Sequence, residues 1–140
     1  MPSANPARGY IVDDSDPIRQ RLVSVLEAID NVSVVGQARN ATEAIAGIRV
    51  ARPDFVLLDL HLERGSRSGI DVLNTVHREL PAVTFIVLTN HSEPQYRLAC
   101  ARAGATHFLD KSTEFDDVRT IVEEIAGRHP GTRLAIGIPQ

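Results

Sequence analysis

Five times along the chain a short apolar run gives way to a segment of helical period, and this alternation restricts the fold more than any other feature. "GYIVDD" (9–14) reads as a short strand ending in two acids. A helix follows with Asp16 as its N-cap and Pro17 at its first position, and Ile18, Leu22, Val25, Leu26 and Ile29 share one face. "VSVVGQA" (32–38) is the second strand, and "NATEAIAGIRVA" (40–51) opens on Asn40 with Glu43 placed like the far end of a capping box. "FVLLD" (55–59) is nearly all apolar, as in a strand buried on both faces of a parallel sheet. Ser68 and Asp71 frame a helix carrying Ile70, Leu73, Val76 and Leu80, which Pro81 stops. "VTFIVLT" (83–89) and "THFLDK" (106–111) are the last two strands. Between them "SEPQYRLACARAG" (92–104) is a helix ended by Gly104. The final helix is expected over 112–127, with Phe115, Val118, Val122 and Ile125 as its stripe.

Strands that alternate with helices call for a doubly wound α/β fold, a five-stranded parallel sheet with helices on both faces. At 140 residues this is a single domain, set at 9–127, with an N-terminal tail of 1–8 and a C-terminal tail of 128–140.

Open sheets of this kind bind ligands beyond the carboxyl ends of their strands. Those ends here are Asp13 and Asp14, then Asp59, then Thr89, then Lys111, while the second strand offers nothing ionisable. Asp59 raises the sharpest question, because "DFVLLDLHL" (54–62) sets its carboxylate among apolar residues. An ionised group without a partner is expensive to bury. If the strands are neighbours, three acids meet at one rim, and crowded carboxylates repel unless a cation offsets them. Ligands that are all oxygen favour a hard ion such as Mg2+, which readily shares its shell with phosphate. One carboxylate can then attack phosphorus to give an aspartyl phosphate. Lys111 and the metal would neutralise the phosphoryl oxygens, and the Thr89 hydroxyl would hydrogen-bond one of them. Lys111 is also singular in composition, since 14 of the 15 basic residues are Arg. A lysine offers a compact point charge to a phosphate.

Together "YIVDDSDPIRQRL", "FVLLDL", "FIVLT" and "AGATHFLDK" resemble the receiver domain of two-component response regulators over roughly residues 9 to 127. The spacing is part of the likeness, with 45 residues from Asp14 to Asp59, 30 on to Thr89 and 22 more to Lys111. The resemblance implies a flavodoxin-like, CheY-like sheet of strand order 2-1-3-4-5. It implies Asp59 as phospho-acceptor from a histidine kinase or phosphotransfer protein, and Mg2+ held by Asp13, Asp14, Asp59 and the His61 backbone carbonyl. Thr89 becomes the switch hydroxyl, Lys111 the contact to a phosphoryl oxygen, and Phe108 the switch aromatic. The protein would catalyse only its own phosphorylation and dephosphorylation. Its downstream protein target would read the face made by the fourth helix, fifth strand and fifth helix.

Three departures from the family pattern stand out. Ser112 follows Lys111 where the family usually has a cis-proline, and reads instead as the N-cap of the last helix. Asn90 follows Thr89 where a small residue is usual, and the loop 61–69, with Arg64 and Arg67, lacks the usual Pro. His61 and His91 flank the acceptor and the switch threonine, where they could tune hydrolysis of the acyl phosphate. The five histidines show no zinc-ligand spacing, which argues against His61 and His91 as a zinc pair, and a surface place is expected for His77, His107 and His129.

The remaining features set bounds. No apolar run approaches the roughly 18 residues that span a bilayer, and "MPSANPARGY" lacks the apolar stretch of a secretory signal. A lone Cys100 fits a reducing compartment, so a cytoplasmic protein is expected. The net charge of −3 argues against direct contact with nucleic acid. The sequence as it stands ends too soon for the DNA-binding domain that often follows a receiver, and its apolar "LAIGI" (134–138) is compatible with a docking strand, a homodimer element or the stub of a truncated chain. A phosphorylation-independent, receiver-like interaction module is the alternative, favoured slightly by Ser112 and Asn90 and opposed by the intact acids and Lys111. A phosphatase using an aspartyl phosphate usually needs an acid where His61 stands, and a dinucleotide enzyme needs a GxGxxG where Asp13 and Asp14 stand.

Overall fold

In the computed structural model, residues 5–62, 68–90 and 93–128 are described. Five strands, β1 (Ala7–Val12), β2 (Val32–Ala38), β3 (Phe55–Leu58), β4 (Thr84–Thr89) and β5 (His107–Asp110), alternate with five helices. The helices are α1 (Asp16–Glu27), α2 (Ala41–Ala51), α3 (Gly69–Glu79), α4 (Pro94–Ala103) and α5 (Asp117–Arg128). All pairings are parallel and the order is β2-β1-β3-β4-β5, as the resemblance implied.

Because successive side chains of a strand point to opposite faces, each buried strand supplies two cores. Ile11, Phe55, Leu57, Ile86 and Leu88 pack with Leu22 and Leu26 of α1 and with Val118, Val122 and Ile125 of α5. Val12, Val56, Leu58, Phe85 and Val87 face the other way, onto Ala44, Ile45 and Ile48 of α2, Val72, Leu73 and Val76 of α3, and Cys100 of α4. Phe55, Val56, Leu57 and Leu58 are at most 1% exposed, the fully buried central strand its composition required.

Local side-chain chemistry sets the helix ends and corrects two expectations. The cap of α1 is Ser15, not Asp16, and its Oγ accepts from the Ile18 N–H at 3.3 Å. Asp16 sits one residue inside and pairs with Arg19 and Arg39. The last helix begins at Asp117 rather than at residue 112. Ser112 is no cap, because the Asp110 carboxylate captures its N–H at 2.8 Å and its hydroxyl at 2.6 Å. Glu114 in turn accepts from the Asp110 N–H at 2.8 Å, so residues 111–116 form turns. Phe115 therefore precedes the helix, packed against the α1/α5 core with the Arg21 guanidinium 4.0 Å above its ring.

The other ends follow the sequence closely. Asn40 Oδ1 accepts from the Glu43 N–H at 2.9 Å, and the Ser68 N–H donates to Asp71 Oδ2 at 2.7 Å. Gly104 closes α4 at φ 110°, a left-handed conformation that glycine adopts without penalty. The ring of His77 lies so close to Gly104 that a β-carbon there would strike it. His77 is thus half-buried packing rather than a surface residue, and its Nδ1 has no hydrogen-bond partner among the described residues. His107 is half-buried too, while His129 and the tail lie outside the described residues. None of the described residues forms a helix long and apolar enough to cross a membrane.

Candidate functional site

Parallel pairing in register brings the carboxyl ends of β1, β3, β4 and β5 to one edge of the sheet. Asp13 follows β1 directly and Asp59 follows β3, locked together by the Asp59 N–H donating to the Val12 carbonyl at 2.9 Å. One ligand oxygen from each of Asp13, Asp14 and Asp59 lies within 4.8 Å of the others. Asp13 and Asp59 are buried, at 2% and 6% exposure, while Asp14 faces solvent.

Lys111 reaches back over this cluster from the end of β5. Its Nζ donates to Asp13 Oδ2 at 2.8 Å and lies 3.4 Å from Asp59 Oδ2. Asp13 is further held by the Ser15 N–H on its Oδ1, and Asp59 by the His61 N–H on its own Oδ1 at 3.2 Å. Thr89 ends β4 fully buried, and its carbonyl accepts from the Lys111 N–H at 2.8 Å, which ties the lysine's backbone to that strand.

Three acids against one amine leave the site short of positive charge. Burial pushes the Asp59 carboxyl up from 3.8 to about 6, and the neighbouring Asp13 charge adds to the rise. Lys111 and the His61 N–H pull it down without restoring the ordinary value. Burial works against the Lys111 charge as well, but the hydrogen bond to Asp13 and the Asp59 and Asp13 charges outweigh it and hold the ammonium above its usual range. Oxygen-only donors, a shared focus and a charge deficit fit a hard divalent cation, and Asp13, Asp14 and Asp59 are the side chains that could hold it.

The structure therefore brings together Asp13, Asp14, Asp59 and Lys111, and sets Thr89 at the same edge. The His61 side chain is exposed, its ring meeting Tyr96 edge-on at 5.8 Å. Phe108 is half-buried on β5 under the Arg97 guanidinium, and Asn90 is exposed. His91, Arg64 and Arg67 lie outside the described residues.

Three residues that sequence reasoning passed over help to build the site. Arg19 donates to the Asp13 carbonyl at 2.8 Å and to Gln37 Oε1 at 3.2 Å, which fixes the turn after β1. Gly69 opens α3 where a β-carbon would collide with the Asp59 carbonyl oxygen, so a glycine lets that helix start directly beneath Asp59. Tyr96 contacts the loop after β3 through His61. The Gly at 69, directly after the capping Ser68, was the one readable signal among them.

The comparisons with known proteins agree with this geometry. The model of the response regulator receiver domain matches residues 10–123. The chain is 31% identical over 120 residues to the DNA-binding transcriptional activator DevR/DosR of Mycobacterium tuberculosis, covering 85% of this chain and 54% of that protein. A solved two-component response regulator of the LuxR family from Aurantimonas aligns with a TM-score of 0.79 and 28% identity, over 94% of this chain and 96% of that one. A CheY-like receiver domain protein from Methanospirillum hungatei shares the fold at a TM-score of 0.75 and 24% identity, over 86% of this chain and 94% of that one. The chain spans about half the length of the curated relatives it matches.

Proposed function

The chain belongs to the response regulator receiver domain family, and on that premise we propose that it accepts a phosphoryl group on Asp59 from the phosphohistidine of a histidine kinase or phosphotransfer protein. The observation that carries this reading is the convergence of three carboxylates and one lysine on a single point at the sheet edge.

In the proposed step an Asp59 carboxylate oxygen attacks phosphorus, the P–N bond of the phosphohistidine breaks, and the imidazole nitrogen leaves with the bonding pair. Asp13, Asp14 and Asp59, with the His61 backbone carbonyl, would hold Mg2+, whose charge offsets that of the incoming phosphoryl oxygens. Lys111 sits 3.4 Å from Asp59, within reach of a phosphoryl oxygen on that carboxylate. The Asp13 pair keeps the ammonium aimed there. The buried Thr89 hydroxyl supplies a donor at the neighbouring strand end. The His61 N–H that bonds Asp59 Oδ1 orients the carboxylate for attack.

In this reading residues 9–127 are the receiver. The chain catalyses only its own phosphorylation and the hydrolysis of the acyl phosphate. The signal leaves through Thr89, Phe108 and the α4–β5–α5 face as a shift between two surface states, which a downstream protein target reads.

Incubation with a small phosphodonor and Mg2+ tests the proposal. Intact mass should rise by one phosphoryl group in the wild type and stay unchanged in Asp59→Asn. If Asp59→Asn gains the same mass, the acceptor is another residue and the reading fails.

A further inference from the structure

Helix α4 is lightly held. Only Cys100 and Ala103 of its residues are buried, Leu98 stands 51% exposed, and the capping Glu93 makes no side-chain bond to the helix end. In its first turns, two consecutive side chains reach across to the rest of the domain. The Tyr96 ring meets His61 in the acceptor loop. Arg97 turns to β5, with its guanidinium carbon 4.5 Å from the centre of the Phe108 ring and its Nη1 donating to the Phe108 carbonyl at 3.3 Å.

We propose that Arg97 is the positioning residue for Phe108, a clasp that holds the aromatic ring in its half-buried resting place. The claim rests on the reading of Phe108 as the moving aromatic of the switch. A guanidinium is suited to this double contact, because its flat face is attracted to the ring while its fork donates to the carbonyl of the same residue. Lysine supplies the charge but not the planar fork. The stack exists only while the ring stays where it is. Inward movement of Phe108 must break it, and its strength weights the resting state against the alternative.

Tyr96 lies next to Arg97 on the same turn. A shift of the His61 loop on changes at Asp59 therefore acts on the helix that carries the clasp. None of the site carboxylates touches Arg97, so its removal leaves the acceptor chemistry in place.

Fluorine NMR on protein labelled with fluorophenylalanine gives one line for each of the four phenylalanines, and Phe108→Leu identifies the line of Phe108. Spectra are recorded for the wild type, Arg97→Ala and Arg97→Lys, each with and without Mg2+ and beryllium fluoride as a phosphoryl mimic. In Arg97→Ala without the mimic, the Phe108 line should move towards its position in the mimic-treated wild type. The second state should gain about two- to fivefold in population, the factor that an exposed cation–aromatic contact supplies. Arg97→Lys should fall between the two. A Phe108 line in Arg97→Ala that coincides with wild type overturns the clasp, as does an Arg97→Lys line displaced as far as that of alanine. If the wild-type line ignores the mimic, the phosphorylation reading fails instead. The comparison of untreated variants still decides whether Arg97 holds the ring.

Discussion

Replacing Asp59 by Asn should make the metal-free protein more stable at neutral pH. The side chain is buried, flanked by Asp13 and only partly compensated by Lys111 at 3.4 Å, and its carboxyl is pushed up from 3.8 to about 6. A displacement of that size corresponds to about 3 kcal/mol against the ionised form. Asn keeps the shape and removes the charge, while Lys111 retains its 2.8 Å bond to Asp13. The sign follows from linkage. A carboxyl raised in the folded state imposes nothing below about pH 4, where it is protonated folded and unfolded alike. The penalty grows as pH rises towards 6 and is constant above. Urea unfolding in EDTA should therefore show Asp59→Asn more stable by about 1–3 kcal/mol at pH 7, with the gap closing towards pH 4. Both proteins share every other titrating group, so the difference isolates Asp59. Millimolar Mg2+ should shrink the gap at pH 7 by stabilising the wild type. Equal or lower stability of Asp59→Asn at pH 7 in EDTA would refute the claim that a charge deficit strains this site.

Other substitutions probe the same construction. Lys111→Met strips the buried acids of their amine and should destabilise the protein at pH 7 by about 3 kcal/mol, read by the same unfolding curves, with partial recovery in Mg2+. Gly69→Ala drives a β-carbon into the Asp59 carbonyl; a loss of about 1–3 kcal/mol and slower phosphodonor labelling are expected, and an unchanged labelling rate would show that α3 can retreat without moving the acceptor. Arg19→Met removes the bond to the Asp13 carbonyl and should weaken Mg2+ binding several-fold in calorimetry, because the turn that presents Asp13 and Asp14 loses its brace.

The sheet and the acid cluster were legible because each rests on a local signal. Apolar runs such as 55–58 fit a buried strand, and acids that end such runs gather at the carboxyl edge of the sheet. The resemblance supplied the strand order, which composition and periodicity left open. What the sequence hid was competition between neighbouring groups of equal aptitude. Ser15 and Asp16 are both good caps, and Arg19 and Arg39 decide between them by drawing Asp16 away. Ser112 looked like a helix start until the Asp110 carboxylate claimed its N–H and hydroxyl. Arg19 acts through a backbone carbonyl and a glutamine 18 positions on, contacts that no pattern within one element records. His77 meets Gly104 across two helices, which periodicity along either one cannot reveal.

The contact between Lys111 and Asp13 joins residues 98 positions apart, from the first strand to the last. A growing polypeptide carries all three acids from residue 59 onward, yet lacks their only amine until β5 is made. A partial chain ending after β3 brings its acids together with no amine to offset them, and they are left mutually repelling. If Asp59 is the acceptor, its competence reports that the whole sheet has closed, and an incompletely synthesised or clipped domain is expected to be silent.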